Sequence, residues 1–431
     1  MKIAILGYGI EGESVYKYFS RLHPDAEFTV YDNNSQTKRP LPDGVKFVGG
    51  VSDFEGVDAD IAIKTPAIAP WNVQVTGETT SVTREFLKKC PAPVIGVTGS
   101  KGKGTTSSLI EAILRASGVK TWLVGNIGKP ALDILSEISP DDVVVYEMSS
   151  FQLWDSDVSP HVAVVLGIEP EHLDVHRDID DYVGAKANIT KYQSAEDLLV
   201  YKSGNEYVGQ IVAESHAEKQ TYPNDESAHV KDSGFYYGEQ FLCSVEELKI
   251  PGVHNQENAC AAIDAAWNWV QDGAVIARGL ADFEGLPHRL KYVRTVGDVA
   301  YYDDSIATTP GSVVAALNAF DAPKVVIIGG SSKGANYVEL ASALAAKKDS
   351  VRTAIIIGVE APKIEQALKD VGFADFVNLG SEVSMQEIVS VAQGNANSGD
   401  IVILSPACAS FDMFKDYQDR GNQFIAAVQN L

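Results

Sequence analysis

A glycine-rich segment near residue 100 combines the residue types that bind nucleotide phosphates. It reads GVTGSKGKGTT from Gly96 to Thr106, after the apolar run PVI and before the helix-like run SSLIEAILRAS. In such a turn, backbone N–H groups surround phosphate oxygens, a lysine offsets the β- and γ-phosphate charge, and a hydroxyl at the helix start can bind Mg²⁺. Lys103 and Thr105 fit the last two roles best. The residues predicted to contact the nucleotide are Gly99, Ser100, Lys101, Gly102, Lys103, Gly104, Thr105 and Thr106.

The spacing of this loop departs from the standard P-loop. Five residues separate Gly96 from Gly102, and Gly104 lies between the lysine and the hydroxyl. A flexible, solvated basic turn is the alternative interpretation. The strand-to-helix context favours nucleotide binding.

A second glycine loop lies at the start of the chain. Gly7, Gly9 and Gly12 follow the strand-like run KIAIL, and Asp32 ends the next such run, twenty positions after Gly12. This is the Rossmann fingerprint spacing, in which glycines let the backbone approach a pyrophosphate and the carboxylate accepts ribose hydroxyls. Three interpretations of this loop remain open. It binds NAD, it binds another nucleotide, or its glycines only permit close packing of helix and strand. Glu11, inside the loop, is unhelpful to any phosphate.

Glu147 is a candidate metal ligand. It ends the apolar run VVVYE, where a buried carboxylate without a partner is costly. A locally hydrogen-bonded or exposed strand end is the alternative. The P-loop upstream favours binding of Mg²⁺.

Short apolar, mostly β-branched runs must position these residues. They alternate with helix-like segments along most of the chain, which predicts an α/β fold with parallel sheets. The proline-rich stretch at 90–93 suits a linker, and a further unit begins near Gly285. Residues 204–247 are polar, with Gly, Pro, Asn and Ser, and predict hairpins and loops in place of parallel units. The predicted strands are KIAIL, FTVYD, IAIKT, VIGVTG, TWLVG, VVVYEMSS, VAVVLG, AYYDD, VVIIGG, AIIIG and IVILSP.

Composition and charge exclude several classes of protein. At 431 residues with 45% hydrophobic positions, the chain needs two or three domains. A formal net charge of -23 disfavours binding of DNA or RNA. Apolar runs are too short to cross a bilayer, and the N-terminus lacks the pattern of a secretion signal. With four scattered cysteines, we expect a soluble protein of the cytoplasm, without a membrane or nucleic-acid partner.

The altered P-loop resembles that of the Mur ligase and folylpolyglutamate synthase superfamily, and its Gly-Lys-Gly-Thr variant resembles the folate branch. The later motifs, in their order, resemble the D-glutamate-adding branch of the Mur ligase family, and the resemblance covers nearly the whole chain. These motifs are GNIG (125–128), EMSSFQL (147–153), EHLD (171–174), Tyr182 to Lys186, His254-Asn255 with Asn258, GLPHR (285–289), Asp304-Ser305 with Ala307-Thr308, Gly329-Gly330 with Lys333, SPACAS (405–410), and Phe414, Tyr417 and Arg420-Gly421-Asn422.

The resemblance implies a role for each motif. Bound ligands would be ATP and two Mg²⁺ ions, with Lys186 carrying a carbamate. Catalytic residues would be Lys103, Asn126, Glu147, His172 and Lys186, of which Glu147, His172 and Lys186 would join Thr105 as metal ligands. Further ATP contacts would be Asn258, Arg289 and Asp304. The first loop would hold the UDP of UDP-N-acetylmuramoyl-L-alanine instead of NAD, through Gly9, Ile10, Glu11, Asp32, Thr65 and Pro66. The amino acid would meet Thr308, Lys333, Ser410 and Tyr417.

The predicted organisation is three domains: a Rossmann-like UDP-substrate domain at 1–90, a P-loop ATPase domain at 91–286 and a Rossmann-like amino-acid domain at 287–431. The predicted activity is ATP-dependent addition of D-glutamate to UDP-N-acetylmuramoyl-L-alanine through an acyl phosphate, in peptidoglycan precursor synthesis, by a monomer. A folate polyglutamylating enzyme, an NAD-dependent dehydrogenase and a nonenzymatic ATP-binding regulator are the alternatives.

One departure from the family pattern concerns the acceptor amino acid. The family commonly has lysine in an Asp-Ser-Lys-Ala-Thr motif, where this chain has Ile306. A cation near the reacting phosphate or the glutamate is therefore missing, unless Lys101 or another residue replaces it. A variant that accepts L-glutamate is consistent with this change.

Overall fold

The computed structural model describes residues 1–37, 39–331 and 334–431. They form two compact units, Met1–Phe283 and Glu284–Leu431. In the part of the chain that is described, no helix has both the length and the apolar character needed to span a bilayer.

The first unit begins with a parallel sheet of order β3-β2-β1-β5-β7. Helix α1 follows the first glycine loop, and α2 leads out of the sheet from Ser81, whose side chain accepts a hydrogen bond from the Arg84 backbone. Two further short strands, β4 and β6, pair with each other in parallel; in the chain they lie between strands of this sheet. The elements are β1 Lys2–Leu6, α1 Ile10–Leu22, β2 Glu27–Asp32, β3 Lys46–Gly49, β4 Phe54–Val57, β5 Ile61–Lys64, β6 Val73–Val75, β7 Glu78–Ser81 and α2 Val82–Lys89.

A second parallel sheet of the same unit has the order β13-β12-β11-β8-β10-β9. Its central strand, β8, leads into the second glycine loop, and its neighbours β10 and β11 end at the same edge. The elements are β8 Val94–Thr98, α3 Lys103–Ala116, β9 Thr121–Gly125, α4 Ala131–Ile134, β10 Val143–Glu147, α5 Ser150–Leu153, β11 Val162–Val165, α6 Ile179–Ala187, β12 Leu198–Lys202, α7 Glu206–Ala213 and β13 Glu218–Tyr222.

The polar segment 204–247 is only partly the hairpin region that its composition predicts. An antiparallel sheet, β14-β15-β16, confirms the hairpins. The prediction was wrong for the first part, where α7 and β13 extend the parallel sheet. Half-exposed β13 contains no apolar run that would have indicated a strand. The remaining elements are β14 Ala228–Lys231, β15 Gly234–Tyr237, β16 Gln240–Ser244, α8 Val253–Ala266 and α9 Gly273–Asp282.

A continuous apolar core joins the two parallel sheets of the first unit. Phe86 of α2 packs edge-on against Tyr146 of β10, with ring centroids 5.4 Å apart. Lys64, whose side chain is 1% exposed, lies 3.6 Å from the carboxylate of Asp155. These contacts hold the edge of the first sheet against the second.

The second unit is a mixed sheet of order β17-β18-β22-β19-β20-β21, antiparallel only between β17 and β18. The α/β fold with mostly parallel sheets is thereby confirmed, whereas the three domain boundaries stay a prediction. The elements are β17 Lys291–Val296, β18 Val299–Asp303, α10 Pro310–Asn318, β19 Lys324–Gly329, α11 Val338–Ala346, β20 Val351–Ile357, α12 Ala361–Asp370, β21 Phe376–Gly380, α13 Met385–Gly394, β22 Ile401–Leu404 and α14 Tyr417–Gln429.

Arg420 of α14 connects the loops that follow two neighbouring strands, β18 and β22. Its side chain is fully buried and donates to the carbonyl oxygens of Ser305 (2.8 Å), Cys408 (3.1 and 3.2 Å) and Ala409 (3.4 Å). Burial lowers the pKa of the guanidinium to about 10. The guanidinium therefore stays charged at neutral pH and satisfies carbonyls that water cannot reach.

Replacing Arg420 should destabilise the second unit alone. An Arg420→Ala variant leaves buried acceptors without donors, each costing about 1–3 kcal/mol, so amides of β19 and β22 should exchange hydrogen much faster. Fluorescence of the five tryptophans, all within the first unit, should report an unchanged unfolding midpoint. Arg294→Ala is the control, because the side chain of Arg294 is exposed and, among the described residues, donates to the Gln429 carbonyl alone. Equal effects of both variants on exchange would contradict the role of Arg420.

Candidate functional site

The second glycine loop forms a phosphate-binding turn at the N-terminus of α3. Gly102 precedes the helix with a φ of 88°, in the left-handed region that glycine adopts easily. The Lys103 ammonium donates to the carbonyls of Gly99 (3.0 Å) and Ser100 (2.9 Å). The first N–H groups of a helix have no acceptor within it, so this turn can bind an anion.

Ser100 ties this loop to the segment after β11. Its hydroxyl donates to the carbonyl of Glu169 (2.8 Å), lies 2.8 Å from the Tyr182 hydroxyl, and accepts from the Glu169 N–H (2.9 Å). Lys101, in contrast, forms an exposed ion pair with the Glu169 carboxylate. Ser100 therefore shapes the loop, whereas Lys101 lies at its surface.

The side chain of Lys186, on α6, is directed towards the backbone of the same loop. Its side chain is 1% exposed, and its ammonium nitrogen donates to the Gly99 carbonyl at 2.9 Å and lies 4.6 Å from the Tyr182 ring centroid. Burial, reinforced by the Lys103 charge, lowers the pKa of Lys186 well below its usual value, although Glu171 and Glu147 oppose the shift. The shift favours the neutral amine, which is the nucleophilic form of a lysine.

Glu147 and Asn126 meet at the ends of the neighbouring strands β10 and β9. The buried Glu147 carboxylate accepts a hydrogen bond from the Asn126 side-chain amide at 2.9 Å, and the Asn126 backbone N–H donates to the Glu147 carbonyl at 3.1 Å. Gly125, with a φ of 106°, permits this approach, because a Cβ there would lie 2.2 Å from the Glu147 carbonyl oxygen. Parallel pairing with β8 places Glu147 opposite Val97, one residue before the loop begins.

His172 lies on an exposed turn after β11, with a φ of 57°, and its ring packs against Phe151 at a centroid distance of 5.1 Å. Within residues 1–37, 39–331 and 334–431, no three His, Cys, Asp or Glu side chains cluster closely enough to bind a metal by themselves. Mg²⁺, however, commonly takes one or two protein carboxylates, with water and phosphate oxygens completing its coordination. Glu147 and the Thr105 hydroxyl at the start of α3 suit such an ion.

The first glycine loop lines a cleft of about 810 Å³ that also reaches the second sheet. Every residue predicted to bind the UDP moiety lines it, together with several that sequence reasoning missed. Among the latter, Ser149 and Gln152 cap α5 through reciprocal hydrogen bonds. That Ser-x-x-Gln capping pattern was readable in the sequence, but its position in the cleft was not. The cleft is lined by Gly7, Tyr8, Gly9, Ile10, Glu11, Asp32, Asn33, Asn34, Thr65, Pro66, Ala67, Ile68, Gly125, Asn126, Gly128, Pro130, Ser149, Phe151, Gln152 and Val175.

Asp32 organises the wall of this cleft. Its carboxylate accepts from the Tyr8 backbone N–H (2.7 Å) and from the backbone and side-chain N–H groups of Asn34 (2.8 and 2.7 Å). Thr65 contributes on the other side, where its hydroxyl donates to the Leu6 carbonyl at 2.8 Å. Both side chains therefore fix the course of the glycine loop, in addition to any contact with a ligand.

Asn258 of α8 meets the P-loop. A Cβ on Gly102 would lie 2.6 Å from its side-chain oxygen, and its amide donates to the Asn255 side chain at 3.3 Å. Asn258 therefore lies beside the P-loop, whereas its contact with the nucleotide stays a prediction.

Of the described candidates in the second unit, Arg289 precedes β17, whereas Asp304 and Thr308 follow β18 and Ser410 and Tyr417 follow the neighbouring strand β22. Asp304 is buried and accepts from the Leu290 N–H (3.1 Å) and the Ser405 hydroxyl (2.7 Å), and burial raises its pKa to about 7. Arg289 is exposed, Thr308 and Tyr417 are half-buried, and Ser410 is buried. Lys333 lies outside the described residues. These positions stay predictions as ligand contacts.

The comparisons with known proteins agree with this geometry. The family model of the Mur ligase middle domain matches residues 97–266, and that of the Mur ligase glutamate ligase domain matches residues 288–408. A UDP-N-acetylmuramoylalanine–D-glutamate ligase of Acetivibrio thermocellus is 37% identical, over 100% of this chain and 96% of its own length. This chain belongs to the Mur ligase family.

Solved structures of other Mur ligases share the fold. UDP-N-acetylmuramate-alanine ligase MurC of Thermotoga maritima superposes with a TM-score of 0.62 at 19% identity, covering 100% of this chain and 99% of its own. The MurF ligase of the same organism, solved in complex with ADP, has a TM-score of 0.59 at 15% identity and covers 99% of this chain and 94% of its own. At these identities the likeness shows the fold alone.

Closing the space beside Gly102 should weaken nucleotide binding. Gly102→Ala places a methyl group 2.6 Å from the Asn258 oxygen at a φ of 88°, so either the loop or the Asn258 side chain must move. Gly118→Ala is the matched control, because Gly118 has the same φ of 88° and nothing within 4 Å of a Cβ. By calorimetric titration with a nonhydrolysable ATP analogue, affinity should fall at least about tenfold for Gly102→Ala only. A similar loss in both variants would point to backbone strain instead.

Proposed function

We propose that this Mur ligase joins D-glutamate to UDP-N-acetylmuramoyl-L-alanine with hydrolysis of ATP, as a monomer in the cytoplasm, during peptidoglycan precursor synthesis. The observation that best supports the proposal is the position of Asn126. It lines the cleft of the first glycine loop and donates to Glu147 at the end of β10, beside the P-loop. A substrate in the cleft and a nucleotide on the P-loop would thus meet at one residue.

The reaction requires activation of a carboxylate, because a carboxylate is a poor electrophile at neutral pH. Its oxygen attacks the γ-phosphorus of ATP, the bond to the β-γ bridging oxygen breaks, and an acyl phosphate and ADP result. The amine of glutamate then attacks the acyl carbon, and the tetrahedral intermediate expels phosphate to leave the amide. Overall, one proton of the attacking ammonium is released to solvent.

The residues of the first unit suit this chemistry. Lys103 and the loop amides would hold the phosphates and stabilise the charge that moves during transfer. Asn126 would orient the acyl or phosphoryl oxygen from the cleft side. Thr105, Glu147, His172 and Lys186 would hold Mg²⁺, which supplies charge compensation when bound.

Lys186 fits a carbamate for a physical reason. Only a neutral amine attacks CO₂, and burial together with the Lys103 charge favours the neutral form of Lys186. As an amine, Lys186 donates to the same Gly99 carbonyl as Lys103. As a carbamate, it would be an anion facing the Lys103 cation. An amine would thereby be replaced by an oxygen ligand for a metal.

Carbamate formation at Lys186 should be visible directly. Protein equilibrated with ¹³C-bicarbonate should give a carbamate carbon resonance by NMR, and the signal should be absent from Lys186→Gln. Because the lowered pKa of Lys186 favours the neutral amine, the signal should be seen at neutral pH and be lost as acid protonates the amine. Lys191→Gln is the control, since Lys191 is exposed near the end of the same helix. A signal that survives in Lys186→Gln would contradict the assignment.

For the three domains we keep the predicted roles: UDP substrate at 1–90, ATP at 91–286 and amino acid at 287–431. Arg289 and Asp304 would contribute to ATP binding, and Asn258 to binding of its base. Thr308, Lys333 and Ser410 offer a cation and two hydroxyls for a dicarboxylate, with Tyr417 near the substrate. Ile306, half-buried with its backbone N–H donating to the His288 carbonyl, cannot supply the charge of the usual lysine.

Phosphate release should test the activity and the acceptor together. With Mg²⁺-ATP and UDP-N-acetylmuramoyl-L-alanine, phosphate should appear on addition of D-glutamate, and mass spectrometry should detect the amide product. Parallel reactions contain L-glutamate or no amino acid. Release with L-glutamate alone would contradict the D-glutamate assignment and connect Ile306 with a changed acceptor. ATP binding without release under any condition would favour a nonenzymatic regulator.

A further inference from the structure

Glu11 places a carboxyl group in the wall of the nucleotide cleft, where a phosphate-binding loop would not be expected to have one. It is the second residue of α1, directly after the glycine turn, and it lines the cleft. Its Oε2 atom is buried, and among the described residues no donor forms a hydrogen bond with it. The group is therefore poorly solvated and faces the space that the substrate would occupy.

The groups around Glu11 are acidic or neutral. Asp133 of α4 acts on it electrostatically, and Glu11 in turn acts on the Tyr146 hydroxyl of β10. Burial, and then the charge of Asp133, raise the pKa of Glu11 to about 7. The N-terminal end of α1 favours the carboxylate, an effect of about 0.3–1 kcal/mol that only partly offsets burial.

Among the described residues, the cations Lys17 and Arg39 pair with another carboxylate. On α1 itself, Glu13 forms ion pairs with Lys17 and with Arg39 of the loop after β2. Asp32, at the end of β2, accepts hydrogen bonds from the loop backbone. Tyr8, on the glycine loop, has a pKa raised by burial and then by Glu13. Glu11 thus has a pKa close to neutral pH and can gain or lose its proton there.

We propose that Glu11 binds the nucleotide substrate as a neutral carboxylic acid, donating its proton to an oxygen of the anionic diphosphate, so that substrate affinity falls when Glu11 ionises. The inference rests on the proposed function, which brings a UDP-linked substrate to this cleft. An ionised Glu11 would repel the diphosphate at close range, whereas the protonated acid adds a donor to those of the helix N-terminus.

Equilibrium binding of UDP-N-acetylmuramoyl-L-alanine without ATP tests the proposal between pH 6 and pH 8.5. The diphosphate of this ligand is a diester that does not titrate in this range. Wild-type affinity should fall about tenfold from pH 6 to pH 8, as one required proton with a pKa of about 7 dictates. The Glu11→Gln variant keeps a neutral donor, so it should bind tightly at every pH. Glu11→Ala, without a donor, should bind weakly at every pH.

Two further variants separate Glu11 from its surroundings. Asp133→Asn removes the neighbouring negative charge, lowers the pKa of Glu11 and should move the inflection of affinity to lower pH. Glu13→Gln is the matched control on the same helix turn. Its carboxylate has a pKa lowered by Lys17 and Arg39, so it is ionised throughout the range and the profile should not change.

The outcomes distinguish this inference from the proposed function. Wild-type binding that is independent of pH, or a Glu11→Gln profile that matches the wild type, would overturn the role of Glu11 while ligase activity stands. An affinity of Glu11→Gln as low as that of Glu11→Ala would do the same. No binding and no phosphate release in the wild type would overturn both.

Discussion

The carbonyl oxygen of Gly99 is the point on which the candidate active site depends. Two lysine ammonium groups, from Lys103 and Lys186, donate to it at 3.0 and 2.9 Å. Two cations this close repel each other, and one of them lies in the protein interior, so the neutral form of Lys186 is favoured. The neutral amine is also the form of lysine that can react as a nucleophile. Ser100 and Tyr182 brace the loop that presents this carbonyl.

The two glycine loops of the first unit are held relative to each other by the core between their sheets. The two parallel sheets of this unit share one apolar core, so the edges that carry the two glycine loops have a fixed spacing. Asn126 projects from the end of β9 into the cleft and is held by Glu147 from the end of β10. The carboxylate that we propose as a metal ligand therefore also positions the amide that lines the cleft.

Burial gives unusual acid–base properties to several side chains of this protein. It raises the pKa of Glu11 and of Asp304 to about 7, and it lowers that of Lys186. All three lie at sites that the family resemblance connects with anionic ligands. Where burial makes the charged form of a side chain unfavourable, the charged and neutral forms are close in free energy near neutral pH. A bound ion can then determine which of the two protonation states is present.

The local sequence pattern predicted the strands with apolar runs, the two glycine loops and the position of Glu147 at a strand end. Each of these features depends on a few adjacent residues. The order of motifs, read as a resemblance, was sufficient for the family. Half-exposed strands such as β13 were missed, since they join a sheet through neighbours distant in sequence and have no apolar run of their own. Only the tertiary structure brought Ser149 and Gln152 into the cleft that Asp32 also lines, paired Lys186 with the Gly99 carbonyl and buried one carboxylate oxygen of Glu11. Burial and pKa are set by what other segments of the chain pack around a residue, and no local spacing encodes them.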